Sequence, residues 1–200
     1  MSIAAQVSLT AVGAASTPPA VDVVAAEAAV ADLLRALGRD LDDANLDDTP
    51  RRVVASLQEL TSSKPFAMTT FPNEDGYDDI VLVRDIPFVS LCAHHLLPFR
   101  GVAHVGYLPG PRIVGLSKLA RVVELFAHDL QVQETLTTQI ADHLDACLEP
   151  RGVGVVLEAE HMCMSLRGAH STGATTVTRA FRGAIRDDEN LRAQFAPRSH

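Results

Sequence analysis

Two short segments far apart in the chain, Cys92-Ala93-His94-His95 and His161-Met162-Cys163, place two thiols and three imidazoles at spacings that suit a metal ion. Cys92 and His95 are close enough in sequence for a single tight turn to bring thiol and ring to one point. His161 and Cys163 are two apart, and on an extended strand both side chains leave the same face. Two cysteines and one histidine with no fourth protein ligand form the pattern of a catalytic zinc, whose open position can hold a reactive water. Histidines beside such a centre that are not needed as ligands can move protons near neutral pH. The competing reading is two buried cysteines and a core histidine that never meet; the spacing favours the metal.

These residues need elements to carry them. From Val21 to Leu37 the apolar positions follow helical spacing, and Gly38 stops the run. A second helix starts at Asp48-Thr49-Pro50, with Thr49 as cap, Pro50 in the first turn, and Val53, Val54, Leu57 and Leu60 on one face. Lys64 to Gly76 reads as loop. Short β-branched runs at Ile80–Val83 and Asp85–Leu91 lead into the first metal-type segment, and Arg100–Leu108 alternates before the turn Pro109-Gly110-Pro111.

A long helical region runs from Ser117 to near Leu148, with a stripe of Leu119, Val122, Val123 and Phe126, then Leu136, Ile140, Leu144 and Leu148. Gly152–Cys163 reads as a strand whose one face includes Val153, Val155, Leu157, His161 and Cys163. Ala174–Phe181 is a further strand, and Asp187–Phe195 a terminal helix with Leu191 and Phe195 facing inward. The order β-β-α-α-β-β, preceded by helices, predicts an α+β fold: an antiparallel sheet with a helix pair on one face.

The chain has 200 residues, 47% of them hydrophobic, and a formal net charge of −8, which offers no basic footprint for nucleic acid. No apolar run approaches the ~20 residues of a membrane helix. Residues 1–20 are rich in Ala, Ser, Thr and Pro without the basic start of a secretory signal, and are expected to be a disordered tail. The remainder, 21–200, is expected to be one domain, with helices over about 21–62 and a core over about 80–200. A cytoplasmic location is the default expectation. The 3 cysteines suggest no disulfide framework, and in a reducing compartment thiols near histidines serve as ligands.

The motifs closely resemble GTP cyclohydrolase I. The matching stretches are Val83-Arg84-Asp85-Ile86, Ser90 to Phe99, Gly101 to Pro109, Val114 to Arg121, Gln131-Val132-Gln133-Glu134, His161 to Met164, and Arg167-Gly168, in order over roughly residues 48–195. The resemblance implies a tunnelling fold (T-fold), toroidal decamers with active sites between subunits, and conversion of GTP and water to 7,8-dihydroneopterin triphosphate and formate, the first step of tetrahydrofolate and pterin biosynthesis. It implies Cys92, His95 and Cys163 as zinc ligands, zinc lowering the pKa of its water to about 7 for attack at guanine C8. It implies His161 as the acid that protonates the leaving nitrogen, with His94 assisting ring opening and ribose chemistry. Arg52, Lys118, Arg121 and Arg167 match phosphate-binding positions, with Ser117 at a helix start where backbone N–H groups favour anions. Glu134 is the expected guanine reader, accepting from N1–H and the 2-amino group, with Gln133 beside it.

Ala93 stands where the family usually has Glu, a carboxylate that could orient a histidine or an arginine; Asp129-Leu130, Thr135 and Ala174 are smaller departures. Ala93 motivates an alternative: a divergent T-fold paralogue in a secondary pathway, stopping at a ring-opened formamide or using another purine nucleotide. A non-catalytic zinc-stabilised interaction protein is a third reading, and it predicts a closed four-ligand site. Pyruvoyl-tetrahydropterin synthases share the T-fold but use three histidines on zinc, and the two cysteines here argue against them.

Overall fold

The structure, a computed structural model, describes residues 20–196. The expected N-terminal tail lies outside the described residues, apart from Ala20. The described chain falls into two compact units that divide between Ser62 and Ser63. The N-terminal unit holds α1 (Val23–Ala36) and α2 (Thr49–Thr61). The Asp22 carboxylate accepts from the Ala25 N–H at 2.9 Å to start α1, and Gly38, at φ 74°, supplies the left-handed turn after it. The cap of α2 is Asp48, one residue before the expected Thr49; its carboxylate is occupied by Arg51 and Arg52 rather than by a backbone N–H.

The larger unit contains β1 (Thr70–Pro72), β2 (Val81–Cys92), β3 (Pro98–Leu108), β4 (Arg112–Val114), α3 (Leu116–Ala127), β5 (Leu130–Gln131), α4 (Gln133–Leu148), β6 (Gly152–His161), the single turn α5 (Met162–Ser165), β7 (Thr175–Arg182), α6 (Gly183–Asp187) and α7 (Glu189–Ala193). The main sheet has the order β5-β2-β3-β6-β7, with β2, β3, β6 and β7 antiparallel and β5 parallel to β2; β1 pairs with β4 apart from it. This is the expected α+β tunnelling fold, with β2-β3-α3-α4-β6-β7 supplying the ββααββ order.

One face of the sheet is covered by α3 and α4. Leu119, Val122, Val123, Leu136, Ile140, Leu144 and Leu148 pack there against Phe88, Phe99, Ala103, Val105, Val153, Val155 and Leu157. Burial alternates along β2, with Ile86, Phe88, Ser90 and Cys92 inward, so the strand period delivers the Cys92 thiol to the helix-covered face. The opposite face buries Leu108, Val156, Ile185 and Phe195. Phe195 brings the tip of its ring against the sheet because Gly154 leaves room: a Cβ there would stand 2.3 Å from its ring. Val153 and Val156, both wholly buried, thus point into different cores from one strand, which explains the continuous apolar run of β6.

Several expected boundaries shift. The runs at Ile80–Val83 and Asp85–Leu91 are one strand with a bulge. Val83 faces Val105 while Ile86 faces Ala103, so one residue is extra, and Asp85 adopts φ 56° with its N–H donated to His104 Nδ1 at 3.2 Å. The loop after Lys64 contains β1. The helical region from Ser117 to Leu148 is two helices separated by β5, and the terminal helix expected over Asp187–Phe195 is the shorter α7, capped by the Asp188 side chain and preceded by α6. The strand expected to reach Cys163 ends at His161, because the backbone there turns into α5. Cys163 therefore enters the site from a helical turn, not from a strand face shared with His161.

Candidate active site

Three chain crossings meet at one end of the sheet. At the end of β2 a tight turn runs from Cys92 to Leu97: Cys92 N–H donates to Leu97 O at 2.9 Å, and Leu96 N–H donates to Cys92 O at 2.9 Å, with Leu96 at φ 55°. This turn brings His95 Nδ1 to 3.7 Å and His94 Nδ1 to 3.8 Å from Cys92 Sγ. The β5 pairing of Gln131 with Cys92 sets the start of α4 beside that turn, which positions Gln133 and Glu134. The end of β6 delivers His161, which faces Phe99 across the β3–β6 pair, and α5 then delivers Cys163.

One potential ligand atom from each of Cys92, His95 and Cys163 lies within 4.8 Å of the other two. Ligands around a tetrahedral zinc, at ~2.3 Å for sulfur and ~2.0 Å for nitrogen, are about 3.5–3.8 Å apart, so the set fits that ion. Its electrostatics fit too. Burial pushes the Cys163 thiol up, and the adjacent Cys92 raises it further. A divalent cation reverses that cost, because coordinated thiols ionise.

His161 sits beside this set. Its ring stacks on Phe99 with centroids 4.6 Å apart and planes 3° apart, and its Nε2–H donates to Gln133 Oε1 at 2.7 Å. Burial lowers the His161 pKa, and the Glu134 carboxylate partly offsets that. Glu134 itself is exposed in the first turn of α4, free to receive a ligand. Arg167 reaches the same place, with Nη1 3.4 Å from His95 Nε2.

The remaining expected residues lie elsewhere. Ser117, Lys118 and Arg121 occupy the first half of α3. Val114, just before α3, donates its N–H to the Tyr107 hydroxyl at 2.9 Å, and Tyr107 lies far along β3 from Phe99. At ~3.3 Å per residue, Phe99 to Tyr107 spans roughly 26 Å. Within one chain these groups therefore start at the end of the sheet opposite the thiols. Arg52 belongs to the N-terminal unit and is paired with Asp48 at 3.0 Å. Gln133, expected beside the guanine reader, is 1% exposed and turns its amide inward. Sequence reasoning missed Phe99, Thr137 and Thr178, which surround His161 and Gln133; an apolar or threonine position inside a strand or helix carries no signal for such a role.

The family model for GTP cyclohydrolase I matches residues 26–200. This chain belongs to the GTP cyclohydrolase I family. It is 51% identical to a protein named GTP cyclohydrolase 1 from Mycolicibacterium gilvum over 183 residues, 89% of this chain and 91% of that one. Proteins of the same name from Streptomyces griseus and Allorhizobium ampelinum are 53% and 51% identical over 84% and 85% of this chain, and 86% and 87% of theirs. Among solved structures, the archaeosine synthase QueF-Like in the apo form aligns with a TM-score of 0.44 and 15% identity, over 53% of this chain and 95% of that one. As a GTP cyclohydrolase I family member, the chain is read as an enzyme, and the divergent paralogue suggested by Ala93 is not favoured. Ala93 itself is exposed on the turn between Cys92 and His95. Among the described residues, no helix is long and apolar enough to cross a membrane.

Proposed function

We propose that this protein is a cytoplasmic, zinc-dependent GTP cyclohydrolase that converts GTP and water to 7,8-dihydroneopterin triphosphate and formate, the first step of folate and pterin synthesis. The observation that carries the reading is the convergence of Cys92, His95 and Cys163 within 4.8 Å, with two further histidines, His94 and His161, beside the set. Cys92, His95 and Cys163 would hold the zinc, which would supply activated water for attack at guanine C8. His161 gives a proton to the purine nitrogen that leaves C8, so the C–N bond breaks without expelling an anion. His94 serves the later proton shifts on the ribose. Glu134 accepts from the guanine N1–H and 2-amino group, and Arg167 contributes charge for the triphosphate.

Ser117, Lys118, Arg121 and Arg52 complete the phosphate site by coming from other copies of the chain. Three features support this. The α3 cations lie far from the thiols of their own chain. Leu96, Leu130, Met164 and Leu166 are exposed around the site mouth at 51%, 46%, 41% and 67%. The β7 edge and most of the outer edge of β2 have no neighbouring strand among the described residues, and closing a ring between copies covers both. A ring of ten chains is expected. Sedimentation should show one large species; a stable, fully active monomer would contradict the intersubunit site.

Incubating zinc-loaded protein with GTP, then measuring formate and the fluorescent oxidised pterin, tests the activity itself. GTP should exceed ATP by at least ~10²-fold in kcat/KM, because adenine leaves the Glu134 carboxylate without its two donors. Comparable turnover of both nucleotides would remove Glu134 from its role.

A further inference from the structure

His161 is held by a buried polar chain in which the donor and acceptor atoms can be assigned, the two Gln133 amide hydrogens being shared among three acceptors. The Gln133 amide nitrogen faces Leu157 O at 3.2 Å, Thr176 O at 3.0 Å and Thr178 Oγ1 at 3.1 Å. Two of these are backbone carbonyls, which only accept, so the nitrogen belongs there and the amide oxygen points to His161. An amide oxygen also only accepts, so the His161 nitrogen at 2.7 Å, Nε2, carries hydrogen. On the other side, Thr137 Oγ1 donates to the Gln133 backbone carbonyl at 2.6 Å. Thr178 Oγ1 then donates to Thr137 Oγ1 at 2.6 Å and remains free to accept from Gln133. The hydroxyls thus support the amide orientation that the carbonyls impose.

The geometry points to Gln133 and Thr178 as positioning residues that lock neutral His161 in its Nε2–H tautomer, leaving Nδ1 as the only ring atom that exchanges protons with substrate. This rests on the cyclohydrolase reading for the identity of that substrate. The consequence is directional. In the imidazolium, Nε2–H stays on Gln133, so the proton passed to the purine nitrogen is the one on Nδ1, and the ring returns to the tautomer the network already favours. The Phe99 stack fixes the ring plane meanwhile. Without the network, neutral His161 would divide between tautomers and much of the population would present the wrong nitrogen. A wrong histidine tautomer costs other enzymes up to ~10⁴-fold, and lost outer hydrogen bonds ~10–100-fold.

The first arm of the test is ¹⁵N NMR of histidine-labelled, zinc-loaded protein, with the His161 signals identified by their loss in His161→Ala. We expect a protonated Nε2 and an unprotonated Nδ1 in the neutral ring; the opposite tautomer overturns the proposal. The second arm is kinetic. Gln133→Met removes the acceptor at similar length and should lower kcat for GTP by about 10²-fold, with KM changed less than about threefold and full zinc content retained. Thr178→Val should lose about tenfold in kcat, and Thr178→Ser, which keeps the hydroxyl, should retain at least about half. An unchanged kcat in Gln133→Met, or a defect confined to KM, would mean that Gln133 binds substrate or only fills space. Equal defects in Thr178→Ser and Thr178→Val would likewise overturn it. If the unmodified protein releases no formate from GTP, the cyclohydrolase reading fails, while the NMR arm still decides the tautomer.

Discussion

Replacing Cys163 by serine is expected to remove the zinc and formate release together. Cys163 is one of two thiols in the three-residue set, and serine cannot supply a thiolate, so the centre is left with Cys92 and His95 alone. Reactive water is then no longer available at neutral pH, and kcat/KM for GTP should fall by at least ~10³-fold. The fold should survive, because the residue is a half-buried side chain on the single turn after β6, at the margin of the main core rather than among its fully buried members. Metal content measured beside formate release, with circular dichroism as the control for folding, checks this. Stoichiometric zinc in a Cys92→Ser, Cys163→Ser double variant would overturn the ligand assignment.

The second large effect separates proton transfer from metal binding. His161→Ala should keep one zinc per chain yet slow formate release by ~10²–10⁴-fold, since general acid–base catalysis by a positioned side chain contributes on that order. The reason lies in the geometry: the His161 ring is engaged by Gln133 and Phe99, outside the set of Cys92, His95 and Cys163. Single-turnover formate release at the normal rate in this variant would exclude His161 as the acid. The two substitutions therefore give different signatures at neighbouring positions, one losing metal and rate, the other rate alone.

Much of the site was legible in the residues because the chemistry depends on types that have few other reasons to cluster. A cysteine three residues before a histidine needs only a local turn to converge, and the Cys92–Leu97 hydrogen bonds supply it. The stripes of α3 and α4 were legible for a similar reason, since a helix that covers a sheet must repeat its apolar residues every three or four positions. Where the sequence misled, a local pattern was overruled by backbone geometry that leaves no periodic mark. The bulge at Asp85 divided the apolar alternation of β2 into two apparent strands. The two-residue spacing of His161 and Cys163 suited a strand, yet pairing stops at His161 and the chain turns.

By itself, then, the amino-acid sequence determined the Cys-His-Cys set that could hold a metal, the ββααββ order and the family, because each rests on residue identity and on spacing within a segment. Tertiary structure alone decided the rest. It turned the Gln133 side chain inward onto His161, because β6 and β7 bring the carbonyls of Leu157 and Thr176 to its amide. It stacked Phe99 on His161 through strand register. It also set Ser117, Lys118 and Arg121 toward the end of the sheet away from the thiols, since the β3–β4 turn carries the chain there before α3 begins. These are contacts between segments distant in sequence, and only the way the strands pair fixes which residues meet.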